Sequence, residues 1–180
     1  HSIPNVPDGV QLHVIDFDFG PASKILPAVQ YFFGHDVDLL FCDDDKSYDP
    51  NWAQRFLDAS QDNPQAAICE SSLSLRTLEA RAFRMNKPLH YRWKRISSLG
   101  RWKPTKNPQR GKADIFEGVG GVLVKPGFFT DDAYNIPDIL WTVDDVWLSG
   151  HVTKNNIQII HNPLAPTSLP TATKNEKQFA

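Results

Sequence analysis

Apolar positions along this 180-residue chain follow two different periods. Short runs of strand length alternate with stretches of helical spacing. Val10 to Phe17 is a β-rich apolar run that ends in Asp16-Phe17-Asp18-Phe19-Gly20. Ile25, Val29, Phe32 and Phe33 then fall near i, i+4, i+7 and i+8, predicting a helix with Ser23 as N-cap. Pro27 sits in its first turn, where a missing N–H costs least. Val37 to Cys42 predicts a short buried strand running into Asp43-Asp44-Asp45. Asp49-Pro50 predicts the start of a second helix, with Trp52, Phe56 and Ala59 along one face. Ala66 to Cys69 predicts a third strand. From Ser71 to Lys112 the periodicity fades, leaving a short helix near 76–85. Asp114 to Lys125 is a β run broken by Gly118, Gly120 and Gly121. Asp144 to Lys154 predicts a helix and Ile157 to Ile160 a last strand. The tail, 162–180, reads as a wrapping or loose end.

Strands alternating with helices predict an α/β class, with a mostly parallel sheet flanked by helices and an irregular excursion at 71–112. Ligands of such sheets bind at the C-terminal ends of the strands. Asp16/Asp18 and Asp43–Asp45 both fall at such ends. Composition agrees with one globular domain over 1–180: 41% of residues are hydrophobic and 22% charged. No apolar run reaches the roughly 18–20 residues of a spanning helix. His1 to Gly9 carries no signal peptide, and a chain beginning at His1 is expected to be cut from something longer. Cys42 and Cys69 have no metal or redox spacing and read as free thiols.

Charge changes the picture. Residues 81–112 hold eleven of the 19 Lys/Arg and none of the 21 Asp/Glu, leaving −13 for the rest of the chain. Phe83, Tyr91, Trp93 and Trp102 interleave that basic stretch. It fits a solvated loop or a contact with a membrane surface. A nucleic-acid partner is disfavoured, since no recognised motif accompanies it.

Three carboxylates after an apolar strand repel one another unless a cation or hydrogen bonds offset them. Asp43 and Asp45 point the same way and could share a hard divalent ion, Mn²⁺ or Mg²⁺. Their plainer role is to cap the turn. Asp144-Asp145 sits at a predicted helix start, where carboxylates are favoured anyway. In a cleft, such a carboxylate could serve as a general base. Gly118, Gly120 and Gly121 do not form a dinucleotide fingerprint and read as a bulge or a close backbone approach.

The run Leu39-Leu40-Phe41-Cys42-Asp43-Asp44-Asp45 resembles the D-x-D signature of glycosyltransferases with the GT-A fold. Phe116 to Leu123 resembles their glycine-bearing strand beside the donor sugar, and Val143 to Ser149 their later acidic motif near the acceptor. Gly20-Pro21-Ala22-Ser23-Lys24 resembles a stretch of small polysaccharide transferases of this kind. The resemblance spans about residues 10–161. It implies a GT-A, Rossmann-like domain that moves a sugar from a UDP- or GDP-sugar to a hydroxyl of a glycan or lipid-linked acceptor. It implies Asp45 and Asp43 as metal ligands, with Asp43 also near the ribose, and His161 as a further ligand. Asp43, Asp44, Ser23, Lys24, Gly120 and Gly121 would meet the donor. Asp145, or Asp144, would deprotonate the acceptor. GT-A domains begin with a strand of which His1-Ser2-Ile3-Pro4 could be only the end, so the first strand is expected to be missing. The implied location is the cytoplasm or the cytoplasmic membrane face, or the Golgi lumen for a eukaryotic source. Two other readings compete. Asp16-Phe17-Asp18 resembles the strand-end motif of haloacid-dehalogenase-like phosphatases, with Asp16 as nucleophile. A non-catalytic carbohydrate- or nucleotide-binding relative is the other.

Overall fold

The computed structural model describes residues 6–75, 111–162 and 169–170. The predicted helix near 76–85, the basic residues 81–110, the strand end at 1–4 and most of the tail lie outside them.

The centre is a five-stranded sheet in the order β1 (Leu39–Phe41), β7 (Val122–Val124), β3 (Ala66–Cys69), β8 (Gln158–His161), β5 (Gly111–Ala113). Two two-residue pairings flank it: β2 (Lys46–Ser47) with β9 (Leu169–Pro170), and β4 (Ser72–Leu73) with β6 (Ile115–Phe116). Among the described residues three helices accompany the sheet: α1 (Leu26–Tyr31), α2 (Trp52–Asp62) and α3 (Asp144–Lys154). The chain is therefore mixed α/β.

The sheet is mostly antiparallel, not mostly parallel as expected. Only β3 and β8 pair in parallel; β1–β7, β3–β7 and β5–β8 are antiparallel. The reason is β7, which enters between β1 and β3 in the opposite direction. β1, β3 and β8 still share one direction, so their C-terminal ends lie on one side of the sheet. The register puts Phe41, Val122, Cys69, His161 and Gly111 in one row across the sheet. The residues just beyond that row form a common rim: Asp43 after β1, Glu70 after β3, and the 118–121 turn before β7.

Strict alternation divides the strands between two cores. Leu39, Phe41, Ala67, Cys69, Val122, Val124 and Ile159 pack on the side of α1 and α3, with Ile25, Leu26, Val29, Leu148 and Val152. Leu40, Ala66, Ile68, Leu123 and Ile160 face Trp52, Phe56 and Ala59 of α2. Helices thus cover both faces, which explains why β3 is buried at all four positions.

Several local expectations are corrected. Val10 to Phe17 forms no strand: it has no ladder partner, and Val14 and Phe17 are 75% and 62% exposed. A β-rich composition makes a strand only where neighbours pair with it. Ser23 does not cap α1, whose N-cap is Ile25; a short 3₁₀ turn (Gly20–Lys24) intervenes. Ser23 instead accepts the Phe19 N–H at 2.9 Å and donates to Asp18 at 3.3 Å. α2 begins at Trp52 with Asn51 as N-cap, not at Pro50, because the Asp49 carboxylate turns back to the Asn51 N–H and to Arg55. The tail contributes Leu169–Pro170 to an edge pairing. Both cysteines are free, and burial pushes both thiols up.

Phe56 is the fully buried anchor of the α2 face. Phe56→Ala is expected to cost about 3–5 kcal/mol in urea denaturation, because it leaves a cavity between α2 and the buried residues Ala66, Ile68 and Leu123.

Candidate functional site

Four separate segments deliver polar groups to the rim. The 3₁₀ turn at 20–24 ends on Lys24. β1 runs out into Asp43. The turn after β6 exposes the Gly118 N–H. α3 opens with Asp144 and Asp145, where the helix dipole favours carboxylates.

Lys24 joins them. Its Nζ donates to Asp43 Oδ1 at 2.7 Å and to Asp145 Oδ1 at 3.3 Å, and lies 2.9 Å from Asp144 Oδ2. The Asp144 contact is an ion pair without good hydrogen-bond geometry. The Phe41 ring lies under the ammonium at 5.8 Å. Asp145 also accepts the Gly118 N–H through both oxygens, at 3.2 and 3.1 Å. Gly118 is required here for space: a Cβ would lie 2.5 Å from both Asp43 Oδ1 and Lys24 Nζ.

Burial alone would lower the Lys24 pKa. The hydrogen bond to Asp43 and the attraction of the Asp144 and Asp145 carboxylates more than offset it and hold the ammonium above the ordinary lysine value. Burial raises the Asp145 carboxyl, and Lys24 and Gly118 pull it back only in part. Three carboxylates against one ammonium leave the cluster with a formal charge of −2. It is a site that attracts cations yet already holds one.

The glycine turn is braced from behind. Asp43 N–H donates to Gly118 O at 3.1 Å. Trp52 Nε1 donates to Gly120 O at 3.0 Å, and a Cβ on Gly121 (φ +93°) would lie within the Trp52 ring. Tyr48 stacks on Trp52 at 4.5 Å and its hydroxyl reaches Val119 O at 3.3 Å. Arg55 grips Glu70 through two bonds, 2.7 and 3.0 Å, and Asp49 through a third. Ser71 donates to Glu117 at 2.6 Å.

Of the residues expected in a site, Lys24, Asp43, Asp144 and Asp145 converge. Gly120 and Gly121 lie on the adjoining turn, buried against Ser71 and Trp52 rather than open to a ligand. Asp45 points away to Lys46 and is largely exposed. Asp44 is exposed, with no contact described. Ser23 bonds within its own turn. His161, at the end of β8, meets Ser72 Oγ through Nδ1 at 2.9 Å. Asp16 and Asp18 lie on the exposed segment that forms no strand, and Asp18 caps the 20–24 turn through the Gly20 N–H. Among the described residues no group of three or more His, Cys, Asp and Glu is arranged to hold a metal. Asp43 and Asp45 are hard oxygen donors of the kind Mg²⁺ and Mn²⁺ take, and Mg²⁺ is commonly held by one or two carboxylates plus substrate phosphates. Gly118, Tyr48 and Trp52 were missed as supports. Only the glycine spacing 118, 120, 121 hinted at them.

No protein-family model, curated protein or solved structure matches the chain. Among the described residues no helix is long and apolar enough to cross a membrane.

Lys24→Met is expected to lower stability by about 3 kcal/mol at pH 7, since it leaves three part-buried carboxylates facing each other. The loss is read by urea denaturation. A pH effect comes from His161, whose pKa is lowered by burial. Below about pH 6.5 the unfolded chain takes up a proton that the folded chain resists, so stability falls as pH falls. His161→Asn is expected to flatten that slope between pH 6.5 and 5 in thermal melts.

Proposed function

We propose that the chain is a metal-dependent glycosyltransferase of GT-A type that moves a sugar from a nucleoside-diphosphate sugar to a hydroxyl of a glycan or lipid-linked acceptor. One observation carries the reading. Lys24, Asp43, Gly118 and Asp145, from the four segments with transferase-like motifs, meet at one rim of the sheet.

The chemistry follows from the parts. An acceptor O–H attacks the anomeric carbon; the new C–O bond forms as the bond to the diphosphate oxygen breaks, and that oxygen keeps the electron pair. Asp145 takes the acceptor proton. Its burial suits it to this task, because a carboxyl with a raised pKa is a stronger base. The Gly118 N–H and Lys24 fix its orientation. Lys24 also offers a positive charge to the diphosphate, exchanging one of its carboxylate partners for a phosphate oxygen. Asp45 and Asp43 would hold Mn²⁺ or Mg²⁺, which when bound neutralises the leaving group. The mixed sheet is compatible with this reading, since β1, β3 and β8 keep one direction and deliver their ends to one rim.

The test is a thermal-shift series with UDP, GDP and CDP, each with and without Mn²⁺. One nucleotide should stabilise the chain only with metal, by roughly 2.7 kcal/mol at a hundred times Kd. Asp45→Ala should abolish that shift. Asp145→Asn should keep it, with no loss of stability at pH 7, and remove transfer. Metal-dependent binding that survives Asp45→Ala would overturn the metal assignment, and no response to any nucleotide would overturn the reading.

A further inference from the structure

The helix that opens the acidic site has a second side. At 100° per residue, Asp144, Asp145, Leu148, Ser149 and Val152 share one side of α3, and Val146, Trp147, Gly150, His151 and Lys154 the other. The second stripe lines a groove of about 480 Å³ against the 131–140 segment, closed by Asp132, Asn135 and Leu140. That volume lies within the roughly 300–1,000 Å³ of small-ligand sites.

His151 makes the groove more than a crevice. It is 5% exposed, and its Nδ1 has no hydrogen-bond partner among the described residues. A buried polar nitrogen left unpaired is costly, so the site calls for an external donor or acceptor. Nothing in the acidic site uses it.

The other walls define what fits. Trp147, half-buried, stacks edge-on against the His151 ring at 4.4 Å, and its own Nε1 is already bound to Ala133 O at 2.8 Å. The indole therefore offers carbon surface, with Val146 and Leu140 beside it. At the mouth, Lys154 and Asp132 pair at 2.7 Å and cancel each other's charge. Asn135 brings a carboxamide that can both donate and accept. The groove thus combines an apolar wall, no net charge and groups that suit hydroxyls.

We propose that this groove binds a neutral sugar residue. A pyranose presents a C–H face to Trp147 and hydroxyls to Asn135 and to the His151 ring, whose Nδ1, closed to solvent as the ring stands, would meet a hydroxyl only on a turn of the imidazole. A neutral ligand leaves the Lys154–Asp132 pair intact, whereas an anion or a cation would have to compete for one member of it. The site stands apart from the nucleotide reading: it lies on the other side of α3, and Lys24, Asp43 and Asp145 are not among the residues that line it. A chain lacking any transferase activity could still bind sugar here.

Gly150 provides a clean test, because a Cβ added there meets nothing within 4 Å. Gly150→Leu fills the groove from a helical position where leucine is favoured over glycine, so the variant should fold. The probes are glucose, galactose, mannose, xylose and N-acetylglucosamine, each also as its β-1,4 disaccharide, with glucuronic acid as the charged control. Binding is read by saturation-transfer NMR and calorimetry on the whole chain. The proposal expects at least one neutral sugar to bind, with at least tenfold weaker binding in both Gly150→Leu and His151→Phe, and no preference for glucuronic acid. It is overturned if no neutral sugar binds, if glucuronic acid binds better, or if Gly150→Leu binds as the parent chain does. UDP and GDP with Mn²⁺, tested on the same samples, separate the two sites: a sugar result that fails while the nucleotide shift persists removes only this groove, and the reverse removes only the transferase reading.

Discussion

The Lys24 ammonium is the constraint on which the rim depends. Without it Asp43, Asp144 and Asp145 would repel one another across a part-buried space. With it, three elements that are remote in sequence are held against the glycine turn. Its excess of hydrogen bonds keeps it charged despite burial, so the link persists across the physiological range. Gly118 is the geometric counterpart, since the ammonium and the Asp43 carboxylate meet where any side chain would stand.

The packing beneath explains why that rim is steady. Alternate residues of β1, β3, β7 and β8 feed two separate cores, so a slip of one residue in any strand would exchange them. The aromatic pair Tyr48–Trp52 then connects the α2 core to the glycine turn, and the Arg55–Glu70 fork connects α2 to the end of β3. The site is therefore supported by the same interactions that stabilise the fold. Its members sit on element ends rather than on long loops.

Much of this was legible in the chain. Ala66–Cys69 and Asp144–Lys154 match their expected spans, because continuous apolar burial and a carboxylate-led start are local signals. Asp43, Lys24 and Asp145 were each suspect on chemical grounds, yet nothing in their spacing showed that one lysine joins all three. Sheet polarity was illegible for a related reason: the direction of β7 depends on which strands it enters between, and Val122-Leu123-Val124 reads the same either way. Val10 to Phe17 misled because apolar alternation reports a strand only where a partner exists. Gly121 and Trp52 lie 69 positions apart, so their close approach left no trace in local pattern.

The spacing of the Lys24 contacts also bears on how the chain reaches this state. Asp43 lies 19 residues from Lys24, and Asp145 lies 121 residues away. The central sheet repeats the theme, since its neighbours β1–β7, β7–β3 and β3–β8 are all distant in sequence. Closing such loops is slow, and the reward comes only once both ends are in place. A nascent chain that has made β1, α2 and β3 still has nothing to set opposite Lys24 beyond Asp43. The rim's charge arrangement is thus complete only in a chain whose long-range topology is finished.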